Sequence, residues 1–458
     1  VKRNVKTFLI SAAVIGALTA SVPVSAQTTP SPLSSPADRP NRSLFGGGVG
    51  GASQALTLSV SFGGGYDTTI LIGTTTPTDA TPATTGKLNR TKDTFEQGSI
   101  NLGYSLAWPR VHFNVSGGSS GVYFPGTGQR VFVNDSANST LFVRVTKRTT
   151  LSGGETVGYS PFYSLLPISA VTDATAPAAP TPISVPDFTN SVLLGDHLTF
   201  ATTAGVSHQV TQRLSLSAGY GYTTSTGAVT FLDQASQFGS AGFSYALGQG
   251  LSLAVAYMRG ETWSGPPNDR LSSVGQSVSG GLNFNRALSL TRRLKLAFGT
   301  GVNGVTDGRQ TSYNLVGNAM LTREIGRSWS AALSYNRTVG FVQVFQHPVF
   351  MDALGANIGG LITRRLQFHA GTGVTRGSVG INQPNSGFKT SYASTGLTIG
   401  LAGTLGVGAN YAFYHYQFQS GVVLPEGLAN RANSQTATVF LTFFEPLFER
   451  RGKTSASR

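Results

Sequence analysis

Residues 213–222 read RLSLSAGYGY, and their order decides the fold. Leu214, Leu216, Ala218, Tyr220 and Tyr222 fall on one face of an extended chain, and Ser215, Ser217, Gly219 and Gly221 fall on the other. Side chains alternate across a strand with period two, so the segment predicts a strand with one apolar face and one small, polar face. The alternation returns in Leu294, Leu296, Phe298 and Val302 against Lys295, Ala297, Gly299 and Gly301. It returns again in Leu366, Phe368, Ala370 and Val374 against Gln367, His369, Gly371 and Gly373, and in Leu405, Val407, Ala409 and Tyr411 against Gly406, Gly408 and Asn410.

Outward from these cores, the strands begin alike. Thr211-Gln212-Arg213-Leu214, Thr291-Arg292-Arg293-Leu294 and Thr363-Arg364-Arg365-Leu366 repeat one turn-then-strand unit, with looser copies at Gly248-Gln249-Gly250-Leu251 and Gly326-Arg327-Ser328-Trp329. The spacing of roughly 35 to 43 residues fits one hairpin of two membrane-crossing strands, a tight turn and a longer loop. The pattern predicts strands near 53–66, 95–108, 110–123, 138–147, 149–161, 197–210, 213–222, 237–247 and 250–262. It continues near 274–288, 293–303, 310–324, 328–339, 350–363, 366–376, 388–401, 404–418 and 434–444. Short connections, such as those at Pro109, Lys147-Arg148, Gln212 and Arg364, alternate strictly with long ones, such as 67–94, 162–196 and 419–433. Such an alternation predicts an all-β, transmembrane, antiparallel up-and-down β-barrel of about 18 strands, with short turns in the periplasm and long loops outside. The number falls to about 16 if 110–123 and 138–147 belong to one elaborated loop.

Composition agrees with a lipid surroundings. Only 11% of the residues are charged, whereas a water-soluble domain carries about a quarter. Past the N-terminal region no run reaches the roughly 20 apolar residues of a spanning helix. A closed barrel is the remaining way to cross, because an open sheet would leave edge amides unpaired in hydrocarbon. At the start, Lys2, Arg3 and Lys6 precede an apolar stretch from Phe8 to Ala20, and Val24-Ser25-Ala26 supplies small residues. This predicts a signal peptide over 1–26, Sec-type export and cleavage near Ala26. Residues 27–52, rich in Pro, Ser, Thr and then Gly, predict a flexible periplasmic tether. The run GGGVGG at 46–51 lacks the Lys-Ser/Thr pair that follows in a phosphate-cradling loop. The barrel is then expected over 53–448, with a basic C-terminal tail over 449–458.

The residues that carry chemistry elsewhere are scattered. His112, His197, His208, His347, His369 and His415 show no metal-ligand spacing, the acids form no catalytic pair, and there is no Cys. The expectation is no catalytic, metal or cofactor site and no enzyme activity. Basic residues gather at the short turns, among them Arg110, Lys147, Arg148, Arg213, Arg292, Arg293, Arg364 and Arg365. There they would meet inner-leaflet phosphates, which accounts for the net charge of +14 without nucleic acid. Trp108, Trp329, Tyr104, Tyr335 and Tyr411 lie near strand ends on apolar faces, the place of an interfacial aromatic girdle. Opposite parity makes Arg144, Lys295, His112, His369, Asn283 and Asn410 candidate lumen-lining residues. With no acid assigned to the mid-barrel lumen, a weak preference for anions is expected.

Thr436 to Phe448 reads TATVFLTFFEPLF, with Val439, Leu441 and Phe443 alternating against Thr438, Phe440 and Thr442. This is similar to the aromatic-rich final strand of bacterial outer-membrane β-barrel proteins of porin type. It departs from them in Glu445-Pro446 and in the basic tail beyond. The resemblance extends over nearly everything after the tether. It implies residence among outer-membrane lipids, insertion by the barrel assembly machinery, passive passage of small polar solutes and a homo-oligomer. It also implies that the loop 162–196 folds inward to narrow the channel. The alternative is a non-conducting structural or assembly barrel associated with exopolysaccharide export.

Overall fold

The structure, a computed structural model, describes residues 52–74, 87–125, 131–164, 191–227, 233–248, 250–265, 271–287, 294–307, 310–326, 328–341, 348–380, 383–422, 424 and 430–451. The signal and tether before Ala52, the tail beyond Arg451, most of the loop 162–196 and the turn at Thr291-Arg292-Arg293 lie outside the described residues.

The first half of the barrel comprises β1 (Ala52–Thr74), β2 (Lys87–Ala107), β3 (Val111–Tyr123), β4 (Val131–Arg144), β5 (Thr149–Ser164), β6 (Ser191–Gln209), β7 (Leu214–Gly227), β8 (Gln234–Gly248) and β9 (Leu251–Ser264). The second comprises β10 (Leu271–Ala287), β11 (Leu294–Asp307), β12 (Gln310–Ile325), β13 (Trp329–Phe341), β14 (Pro348–Leu361), β15 (Leu366–Val379), β16 (Gly387–Gly400), β17 (Leu405–Phe418) and β18 (Arg431–Arg451). Each strand pairs antiparallel with its neighbours in chain order, and β18 pairs with β1 from Ala52↔Arg451 to Asp67↔Thr436. The ring therefore closes with 18 strands. The 16-strand alternative fails because β3 and β4 pair with each other along their whole lengths and with β2 and β5 on either side.

The short turns show why the sequence repeats a Thr. The Thr211 hydroxyl accepts hydrogen bonds from the amides of Arg213 (3.2 Å) and Leu214 (3.0 Å). Thr363 does the same for Arg365 (3.3 Å) and Leu366 (3.1 Å). The hydroxyl thus satisfies donors that a two-strand reversal leaves open. Thr146 is a further copy, accepting from Arg148 (3.1 Å) and Thr149 (3.0 Å), and the linear repeat conceals it because Thr149 stands where the others have Leu. In β18 the Glu445-Pro446 pair does not end the strand. Pro446 sits opposite Thr57, beside a register shift between Leu56 and Thr57, and such a bulge absorbs its missing amide hydrogen.

The long-loop end is less regular. β1 continues past Tyr66 and stays paired with β2 as far as Thr74↔Lys87. There it also meets β6 in a parallel bridge, Ile72↔Leu193. In the ring β6 lies four strands beyond β2, so this hairpin leans across the ends of β3, β4 and β5. Phe95 of β2, Val122 of β3 and Phe124 just beyond it form an apolar cluster, with Phe132 of β4 against it.

Candidate channel interior

Strand parity and register together assign the described strand side chains to one of two surfaces. On the outer surface, Leu58 of β1 lies opposite Leu102 of β2, Val60 lies between Ile100 and Phe443, and Phe62 lies opposite Leu441 of β18. Phe62 is 63% exposed and Val439 60%. Exposed Leu216, Tyr257, Val278, Leu315, Leu354 and Leu397 carry the same apolar band around the rest of the ring. Large apolar side chains all round the outside of a closed barrel need lipid as their solvent.

The girdle candidates sit on this outer surface. Trp329 and Tyr335 share the outward parity of Leu333 on β13, and Tyr104 and Tyr411 share that of Leu102 and Ala409. Trp108 is exposed at the β2–β3 turn. The Trp329 indole donates to the Leu361 carbonyl (3.0 Å), and the Tyr335 and Tyr411 hydroxyls donate to Asp352 (2.8 Å) and Gln435 (3.2 Å). Each aromatic body thus faces the apolar band while its polar tip finds a partner.

The inner surface divides into two walls. On β3–β5, His112, Asn114, Ser116, Ser136, Asn138 and Thr156 all point inward and are exposed to solvent. The Asn138 amide donates to the Thr156 hydroxyl (3.2 Å), so cross-strand pairs order this wall without covering it. On β16–β18 the inward side chains are buried instead. Tyr414 and Tyr416 are each 2% exposed, and Phe388, Phe418, Phe440 and Phe444 are buried with them. Their rings pack in series, Tyr414 on Tyr416 (6.1 Å between centroids) and Tyr416 on Phe418 (5.3 Å). The Phe440 ring lies over Gly408 of the neighbouring strand, and a β-carbon there would collide with it.

With one solvent-lined polar wall inside and a lipid-facing band outside, the assignment is decided. The chain is a closed antiparallel β-barrel of 18 strands with an apolar outer surface. No protein-family model matches it, and no curated protein sequence is significantly similar. Among solved structures it is similar to OpdO of Pseudomonas aeruginosa, at 14% identity over 86% of this chain and 98% of that one, with a TM-score of 0.42. OccK2 (OpdF) from the same organism, solved in complex with glucuronate, aligns at 9% identity over 86% of this chain and 98% of that one, with a TM-score of 0.43. The siderophore receptor PirA, also from Pseudomonas aeruginosa, aligns at 7% identity over 85% of this chain and 80% of that one, at 0.40. At such identities and scores the likeness decides nothing about cargo.

The six lumen candidates do not form one cluster. His112 is exposed on the solvent-lined wall near the short turns, opposite Phe142, and Arg144 is exposed at the end of β4. His369 and Asn410 point inward from β15 and β17 and converge over Gly396 of β16. Asn283 of β10 pairs with Ser252 of β9. Lys295 also points inward, but its ammonium lies 3.4 Å from Glu324 of β12. That acid sits on the same face as Thr322, the partner of Lys295 across the β11–β12 pair.

A second acid departs further from expectation. Asp67, expected in a loop, lies within β1 on the inner face and is 1% exposed. Its carboxylate accepts hydrogen bonds from the hydroxyls of Ser434 (3.0 Å) and Thr436 (2.6 Å) and from the Thr69 amide (2.7 Å). Asp93 stands opposite it on β2. The inner surface therefore carries acids as well as bases, contrary to the reading from parity alone. Among the described residues, no group of three or more His, Asp or Glu side chains could hold a metal ion.

Proposed function

We propose that this barrel is an outer-membrane channel for passive diffusion of small polar solutes, and that the aqueous route follows the inner wall of β3–β5. The observation that carries the reading is the contrast in hydration: Asn114, Ser116, Ser136 and Asn138 are open to solvent, while the inner faces of β16–β18 are covered. A ring of 18 strands encloses more space than side chains alone fill, so a covered wall narrows the lumen without closing it. Insertion by the barrel assembly machinery, export through a cleaved signal and a homo-oligomeric state belong to the same proposal.

The selectivity we propose is a weak preference for anions resting on Arg144. Glu324 offsets Lys295 at 3.4 Å, and the remaining charge is screened over about 8 Å at physiological salt. Current through the purified protein in planar bilayers, followed by reversal potentials across a salt gradient, tests both parts. Silent bilayers with correctly folded protein would leave the non-conducting assembly barrel, which the covered wall and the Phe95–Phe124 cluster also suit. Cation selectivity would remove Arg144 from any account of permeation.

A further inference from the structure

On the outside of the barrel, one register row collects positive charge. Across β13 to β18 the directly paired residues run Arg337, Asp352, Arg376, Lys389, Gln417 and Arg431. All six share the outward parity of the lipid-facing band, and the four cations are exposed. Strands lie about 4.8 Å apart, so the row extends over roughly 24 Å of circumference. It carries four cations against one carboxylate, and Asp352 is already engaged by the Tyr335 hydroxyl at 2.8 Å and by Arg337 at 3.7 Å.

Its height explains what it can meet. Tyr335 and Leu354 lie two residues closer to the membrane centre on their strands, so the row stands at the upper edge of the apolar band, on the side of the long loops. Charged side chains at that level reach lipid headgroups while their stems lie along the band. Guanidinium and ammonium groups at a membrane surface attract phosphate, and Arg adds a forked geometry that fits phosphate oxygens. We propose that this row is a docking surface for a phosphorylated glycolipid of the outer leaflet, with Arg376 and Lys389 gripping one phosphate and Arg337 or Arg431 a second. The separation of the cations favours a bisphosphorylated headgroup over a single phosphodiester. This inference depends on membrane residence and not on conduction, so a silent channel would leave it standing.

The test uses the full barrel in phosphatidylcholine nanodiscs doped with bisphosphorylated lipid A, with dephosphorylated lipid A or with phosphatidylglycerol, with co-purifying lipid quantified by mass spectrometry. Bisphosphorylated lipid A should be enriched over both others, and the double variant Arg376→Gln, Lys389→Gln should lower that enrichment by roughly tenfold or more. The charge-preserving pair Arg376→Lys, Lys389→Arg should retain most of it. Arg259→Gln, which removes an outward cation of β9 away from the row, should change little. Equal retention of the phosphorylated and dephosphorylated lipid, preference for phosphatidylglycerol, or an equal loss in Arg259→Gln would overturn the proposal.

Discussion

The wall formed by β3–β5 and the wall formed by β16–β18 obey the same alternation and reach opposite ends. In β18 the alternation of covered and exposed residues is strict from Arg431 to Phe444, with Ala432, Ser434, Thr436, Thr438, Phe440, Thr442 and Phe444 all buried on its inner face. In β4 the inward Ser136 and Asn138 are as exposed as the outward Val133. Period-two patterning tells which surface a side chain belongs to, whereas hydration depends on how the side chains beside it, on its own and adjacent strands, pack against one another. The pair of walls shows a barrel can be packed on one side and wet on the other without any break in its strand code.

The sharpest way to break this contrast is to remove one ring from each wall. Phe440→Ala should destabilise the barrel by about 3–5 kcal/mol, the usual loss for a buried Phe, while Phe142→Ala on the exposed wall should cost well under half of that. Urea titration of the folded protein in lipid, read by Trp fluorescence, measures both. Equal losses would mean that the two walls are equally packed.

Next in size is an effect on current. Asn138→Trp should lower single-channel conductance by about half, since an indole occupies on the order of 200 Å² of surface. The same ring placed at Ala437, on the outer face of β18, should leave conductance unchanged. If the two substitutions act alike, the route does not follow β3–β5.

A smaller shift is expected from Glu324→Gln, which frees Lys295 from its 3.4 Å partner. The reversal potential should move toward anions in the variant, and should return when Lys295→Ser is added. No movement would place this pair off the conducting path. Smallest of all, Thr363→Ala removes two long acceptances at a short turn and should lower stability by about 1 kcal/mol. Thr211→Ala should match it, since the turns are built alike.

Every strand was legible from its alternation, and the reason is visible in the pairing: along each strand an unbroken series of residues has lipid on one side. The strand ends were less so. The extension of β1 over Asp67–Thr74 carries TTILIG, where adjacent apolar residues obscure any parity, and Asp67 was consequently expected in a loop. Glu324 was missed for a different reason. Its strand was recognised, but the partnership with Lys295 depends on the register between β11 and β12, which no single strand encodes. Tyr414 and Phe440 have recognisable inward parity, as do Phe388, Tyr416 and Phe418. That they are covered rather than wetted is a property of several strands together.

The Asp67 site has a consequence for the order of assembly. Its carboxylate is held by Thr436, 369 residues away, and Ser53 reaches the Arg450 carbonyl across 397 residues. These bonds join β1 to β18, so none can form until both strands have been made and brought together. Contacts of such sequence separation form slowly. Until then the nascent sheet carries two raw edges that invite pairing with other chains. A carboxylate gripped by hydroxyls from the final strand makes the seam a late, directional latch, set only when the correct last strand lies in the correct register.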